Sequence, residues 1–353
     1  MSEQVKSGGA EDPHLLLFDT GIPGAYLDCQ TSSYSMMLRS LKLDPRILGD
    51  QWWYSYDAAS HQDWPGGAFS FTNHEYRESV SDWFGATERV IPHASPRQAL
   101  ERVRSTVSDG TAITVCVDLY HYRMANFFYR KNHYPRRIVV NGFQEDRFWV
   151  LDGAGERRFA GWLTEKELIP AIDSAHLELG SWGFNARNTT IEIIPPTAAH
   201  GPPSADWVRD RLLGPTRSFS ATNQGRLTLV GTEALQAFSD ALLSYSAELA
   251  EPASKMTLQI SNILGGITSQ RQLNIMFLEL AAQYFPDLRR AKEHFQKSAR
   301  EWDKAFNVFL FGIRLGRDPA AIVTELARRI DVIAEAECAG AAIIGPALAA
   351  RPG

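Results

Sequence analysis

The spacing of apolar residues changes character near residue 200. Before it, apolar positions come in short runs of strand length broken by Gly and Pro. "TAITVCVDLY" (111–120) is a continuous β-branched run of the kind found in buried strands. "RIVVNGFQEDRFWVLDG" (137–153) reads as two strands joined by a tight polar turn at Gln144–Asp146. Two helices in this half carry their own start signals. In "ASPRQALERVRSTVSDG" (94–110), Ser95 is the N-cap, Pro96 the first helical position and Gly110 the stop. In "LTEKELIPAI" (163–172), Thr164 and Glu167 have capping-box spacing. A third helix starts at Cys29, where Tyr34, Met37, Leu38 and Leu41 fall at i, i+3, i+4 and i+7 after the turn-rich "TGIPGAYLD".

Beyond residue 200 the period is helical. Windows 232–251, 253–284, 286–314 and 318–341 predict four or five amphipathic helices packed as a bundle. In the third, Leu288, Ala291, Phe295, Trp302, Phe306, Phe309 and Ile313 share one face, and Arg289, Lys292, Glu293, Lys297 and Arg300 share the other. The fourth has Asp318 as cap and Pro319 at its first position. A Pro/Gly/Ala-rich stretch at 196–206 reads as the linker. The expectation is an α+β chain: a domain over 14–195 with a small, mostly antiparallel sheet, then an all-α helical bundle over 207–343. Residues 1–13 and 344–353 read as flexible ends.

Bulk composition narrows the function classes. At 353 residues the chain can bury two cores, and 44% hydrophobic with 22% charged residues is ordinary for a globular protein. A net charge of −5 gives no cationic footprint for nucleic acid. Three widely spaced cysteines, Cys29, Cys116 and Cys338, form neither a disulfide framework nor a zinc pair, which fits a reducing, cytoplasmic setting. The polar first residues lack the apolar core of a signal peptide, and no apolar run reaches the roughly 18 residues of a membrane span. Neither a P-loop, a dinucleotide fingerprint nor HExxH occurs, so no cofactor and no metal are expected.

Cys29 is the leading candidate for chemistry. A thiol at a helix start meets unpaired backbone N–H groups and the positive end of the helix dipole, which favour thiolate and can hold an oxyanion. A thiol nucleophile wants a base, and the base an orienting carboxylate. His133, before one strand, and Asp152, at the end of the next, are placed for those roles. Asp118 is a second carboxylate near the same sheet end, His121 a reserve base, and Asp118 and Tyr120 can line a pocket. Trp52 and Trp53 can wall it, although neighbouring aromatics also fill cores. Cys116, among Val and Ile, and Cys338, on an Ala-rich helix, read as packing.

Three stretches together resemble the butirosin biosynthesis protein H-like family. They are the Cys29 helix followed by "GDQWWYSYD", then "AITVCVDLYHYRM", and then "HYPRRIVVNGFQEDRFWVLDG". Arg271 before "MFLELAAQYF", Trp302 and Glu337 resemble features of the helical domain of unknown function that follows in that family. The resemblance implies a papain-like cysteine acyltransferase domain, with Cys29 as nucleophile and Asp152 as orienter. It implies transfer of an acyl group from an acyl or peptidyl carrier-protein thioester to a small-molecule amine in natural-product biosynthesis, between molecules or as a cyclisation. Two positions depart from the pattern. Asp28 stands where the family carries His, and opposes thiolate unless it serves as the helix cap. Arg136 stands where the catalytic His is expected, and an arginine holds anions rather than taking protons. The alternatives are a catalytically altered member that binds an acyl chain or carrier protein, and one that promotes cyclisation or condensation without a thiol nucleophile. A homodimer through the helical half is left open.

Overall fold

A computed structural model describes residues 28–349 apart from 53, 58–68, 72–75, 126–127, 154–158, 179–183, 197–203, 219–227 and 245–254. Nine α-helices and two antiparallel sheets are formed among the described residues. In chain order they are α1 (Cys29–Ser40), β1 (Ser55–Asp57), β2 (Phe69–Ser70), α2 (Tyr76–Phe84), β3 (Thr87–Pro92), α3 (Pro96–Ser108), β4 (Ile113–Asp118), β5 (Pro135–Gln144), β6 (Arg147–Asp152), β7 (Phe159–Thr164), α4 (Glu165–Ile172), β8 (Thr189–Ile194), α5 (Ala205–Ser218), β9 (Thr228–Val230), α6 (Gly231–Ser244), α7 (Lys255–Ala281), α8 (Leu288–Arg314) and α9 (Pro319–Ala349).

The chain divides into two units, but not at a single linker. One holds Asp28–Pro45 with Phe84–Ala199, and the other holds Arg46–Trp83 with His200–Gly353. Segment 46–83, expected in the N-terminal domain, therefore belongs to the helical unit. That unit is not all-α either: β1 pairs with β2 and with β9, closing a three-stranded sheet in the order β2-β1-β9. The expected linker falls largely, and the expected flexible N-terminal end wholly, outside the described residues; the expected flexible C-terminal end is instead mostly helix, because α9 continues past 343 to Ala349.

The first unit is a six-stranded antiparallel sheet in the order β3-β8-β4-β5-β6-β7. Val115, Val117, Ile138, Val140, Phe148 and Val150 turn one face toward α3 and α4. Val139 and Leu151 turn the other toward Met36 of α1. The helix starts behave as their sequences dictate. Ser95 accepts the Gln98 N–H at 3.3 Å, and the Thr164 N–H donates to Glu167 at 2.8 Å, completing its capping box. The β5–β6 turn runs through Glu145 at φ +59°, with Gln144 paired to Arg147.

In the second unit, Phe238, Leu264, Trp302, Phe309, Leu326 and Ile333 form the core together with Tyr54 and Phe69 of segment 46–83. Every apolar position of the stripe read along 286–314 is buried. A fully buried polar network ties the segment in. Arg271 Nε donates to Glu337 Oε1 at 2.8 Å and to Tyr54 Oη at 2.9 Å, and Arg271 Nη1 donates to Asn274 at 2.7 Å. Tyr54 and Ser298 donate to Glu337 Oε1 at 2.9 and 2.5 Å, and Trp302 donates to Tyr54 at 3.0 Å. Asn274 in turn donates to the Gly49 and Gln51 carbonyls at 2.7 Å. Residue 49 must be glycine for this approach, because a β-carbon there would overlap the Leu273 carbonyl. Among the described residues, α9 is the one helix long and apolar enough to cross a bilayer, with 44% of its most apolar window buried inside the fold.

Candidate active site

Strand direction gathers most of the candidate residues at one end of the first unit's sheet. β4 runs out at Asp118, β5 enters at Pro135, and Asp118 pairs with Pro135. β6, antiparallel to β5, runs out at Asp152. The start of α1 reaches the same end, where Ser32 lies so close to Gly153 that a β-carbon there would overlap its hydroxyl. Cys29, Asp118, Tyr120, His133, Arg136 and Asp152 therefore share one sheet end. Trp52 does not join them. It is fully buried in the helical unit, edge-to-face on Phe295 at 4.8 Å, and serves its core. Trp53 lies outside the described residues.

The ionic pairing differs from the expected triad. Asp152 accepts from Arg136 Nη1 at 3.1 Å. His133 Nδ1 is 2.6 Å from Asp118 Oδ2 instead. Strand alternation explains the first pair. Ile138 and Val140 face α3 and α4, while Val139 and Leu151 face α1, so Arg136 and Asp152 share the α3/α4 side and Arg137 the α1 side. A bulge between Val140 and Gly142 shifts the β5–β6 register by one residue. Tyr122 is buried with Arg136 and Asp152 nearby; burial, then the Asp152 charge, push its phenol well up, so it remains protonated.

Cys29 opens α1 as expected, but Asp28 has taken the helix start. Its carboxylate accepts the Gln30 N–H at 2.8 Å, the Thr31 N–H at 2.9 Å and the Thr31 hydroxyl at 2.7 Å. Those are the N–H groups that would otherwise stabilise a thiolate or an oxyanion. Burial and the Asp28 charge push the Cys29 thiol up, against the opposing pull of the Arg137 backbone N–H and of the Arg136 and Arg137 guanidiniums. The expectation of a helix-activated thiolate is thus corrected, by burial first and then by Asp28, which opposes the thiolate even while it serves as the helix cap. Cys116 is buried mid-strand, and its thiol is pushed up to about 12 by burial, as befits a core residue.

The second cluster is built around Asp118. This fully buried carboxylate accepts the Tyr120 N–H at 3.0 Å, the Tyr134 N–H at 3.2 Å, Ser174 Oγ at 2.6 Å and His133. Burial alone would raise its carboxyl, but bonds from Ser174, His133 and the Tyr120 N–H outweigh it and hold the carboxyl below its ordinary range. The Asp118 carboxylate takes the hydrogen bond from His133 Nδ1, leaving Nε2 as the ring's other nitrogen, and the side chain is 35% exposed. Tyr120, expected to line a pocket, stacks on His133 at 4.3 Å. Burial lowers the His121 imidazole, with Arg130, His133 and His176 adding to the effect and Asp118 opposing it. Among the described residues, no three His, Cys, Asp or Glu side chains are grouped to hold a metal.

Sequence reasoning did not single out Ser174 or His176. The one local signal was Ser174 as the cap of a short turn, Ala175–Leu177, where its Oγ accepts the His176 N–H at 3.4 Å. A comparison with protein-family models found no match to this chain, and a comparison with curated proteins found none either.

Proposed function

We propose that the chain is an acyl-transfer enzyme on a papain-like scaffold, moving an acyl group from a carrier-protein thioester to an amine, with His133 as the proton-transfer group and Asp118 as its orienter. The observation that carries this is the Asp118–His133 pair: a buried, ionised carboxylate fixes the tautomer of a solvent-reachable imidazole. Nε2 takes a proton as the amine nitrogen attacks the thioester carbonyl. The new C–N bond forms, the C–S bond breaks, and the departing thiolate receives the proton back from His133. The products are an amide and the free carrier thiol. The carrier and the amine come from the family resemblance; the choice of base comes from the geometry.

A second reading keeps Cys29 as a covalent nucleophile. The bond from the Arg137 N–H to its sulfur and the two nearby guanidiniums favour it. One experiment separates the two. Purified protein is incubated with acetyl-loaded acyl carrier protein and a primary amine, and amide formation and intact mass are followed. On the first reading His133→Ala loses on the order of 10²–10⁴-fold in rate, the range for general acid–base groups, whereas Cys29→Ala stays active. Loss of activity in Cys29→Ala, with an acetyl adduct on the wild type that this variant lacks, sinks the first reading and supports the second.

A further inference from the structure

A single hydrogen bond holds an imidazole at one atom but leaves its plane free to turn. Asp118 fixes His133 Nδ1 and says nothing about where Nε2 points. The ring is gripped by stacking. His176 lies on His133 with centroids 3.5 Å apart and planes at 20°, and Tyr120 lies on it at 4.3 Å and 17°. At such separations two near-parallel rings cannot share one face without overlapping, so they occupy opposite faces.

The turn that carries His176 is tied to the same carboxylate. Ser174 Oγ donates to Asp118 Oδ2, the very atom that meets His133, and also accepts the His176 N–H. Leu177, fully buried, anchors the turn from below. His176 itself is exposed. An exposed ring buries little surface and so contributes little to folding.

We infer that His176 is a positioning residue: by stacking on His133, from a turn that Ser174 binds to Asp118, it sets the plane in which Nε2 meets the substrate. The inference rests on the role proposed for His133. The charged and titratable groups around it are Asp118 on β4, His121 just beyond that strand, Arg130 on the loop before β5, and His176 on its turn.

The test compares the full-length wild type with His176→Ala and His176→Phe, the latter keeping a flat ring without a titrating nitrogen. Two readouts are taken: turnover of the acetyl thioester of N-acetylcysteamine with a primary amine, and the rate at which diethyl pyrocarbonate modifies His133, mapped by peptide mass. In His176→Ala, kcat falls on the order of tenfold, the lower end of the loss seen when outer partners that orient metal-binding histidines are removed, while KM and Tm stay put. His133 is modified faster, having lost the cover of one face. His176→Phe restores both. If Ala and Phe variants behave alike, or if His133 is modified at the same rate in all three proteins, the inference is overturned. If no protein turns over thioester, the chemical reading fails; the modification rates alone then decide the positioning role, faster in Ala and restored in Phe supporting it.

Discussion

Replacing Glu337 by alanine leaves the Arg271 guanidinium fully buried with its charge uncompensated. Both side chains are entirely shielded from solvent, and burial opposes the Arg271 charge, an effect that Glu337 and then Tyr54 outweigh. Removing one partner of a buried ion pair costs about 3–5 kcal/mol. In a unit of about 150–250 residues each kcal/mol moves Tm by roughly 2–4 °C. Glu337→Ala is therefore expected to lower the melting temperature of the helical unit by roughly 6–20 °C, read by differential scanning calorimetry. The same carboxylate also receives Tyr54 and Ser298, so those hydroxyls are stranded too, which argues for the upper part of that range. The double variant Arg271→Met, Glu337→Leu removes the charge together with its partner and should recover most of the loss. A shift of only about 1–2 °C in Glu337→Ala, or a double variant no better than the single one, would refute the view that the loss comes from a buried charge left without its partner.

Two further outcomes follow from the first unit. With its thiol pushed up by burial and by Asp28, Cys29 should react with iodoacetamide at pH 7 more slowly than a free cysteine, and Asp28→Asn should speed it; fast alkylation of the wild type would contradict the capping argument. The Asp118 carboxyl is depressed in the folded state, so its stabilisation is fully present above the ordinary carboxylate pKa of about 4 and is lost as pH falls through the lower folded value. Melting temperature measured against pH should therefore fall less steeply below about pH 4 in Asp118→Asn than in the wild type, and parallel curves would argue against that linkage.

Features set by neighbours in sequence were legible. Ser95, Pro96, Thr164 and Glu167 announce α3 and α4, and the polar "QED" between two apolar runs announces the β5–β6 turn. The apolar stripe of α8 is buried as its spacing requires. What the sequence hid depends on distant partners. Nothing near Tyr56 indicates that it pairs with Leu229, so the strand that carries segment 46–83 into the helical unit had no local signature. The same holds at the candidate site. Asp118 and Asp152 were both legible as strand-end carboxylates, but which one meets His133 is decided by the path from β4 through the loop to Pro135. The Arg136–Asp152 pair was hidden in another way: the hairpin turn alone would pair residue 139 with 152, and the bulge between Val140 and Gly142 moves Val139 onto Leu151 instead. Asp28 was visible beside Cys29 all along; only its backbone geometry, φ −71° and ψ 166°, makes it the cap that occupies the helix N–H groups.

The helical unit draws on two separated pieces of chain, Arg46–Trp83 and His200–Gly353, with the sheet unit's Phe84–Ala199 inserted between them. On the ribosome, Tyr54 emerges long before Arg271, Trp302 and Glu337 exist to receive it. At about 5–20 residues per second, that wait lasts on the order of 15–60 s. During it Trp52, Tyr54 and Tyr56 are exposed aromatics without their core, a natural substrate for a chaperone. The sheet unit, complete once residue 199 has left the tunnel, can fold first. Neither unit can then be moved between proteins as a single contiguous cassette: a fragment cut at the linker carries off the tail of the helical unit and leaves its aromatic strand behind.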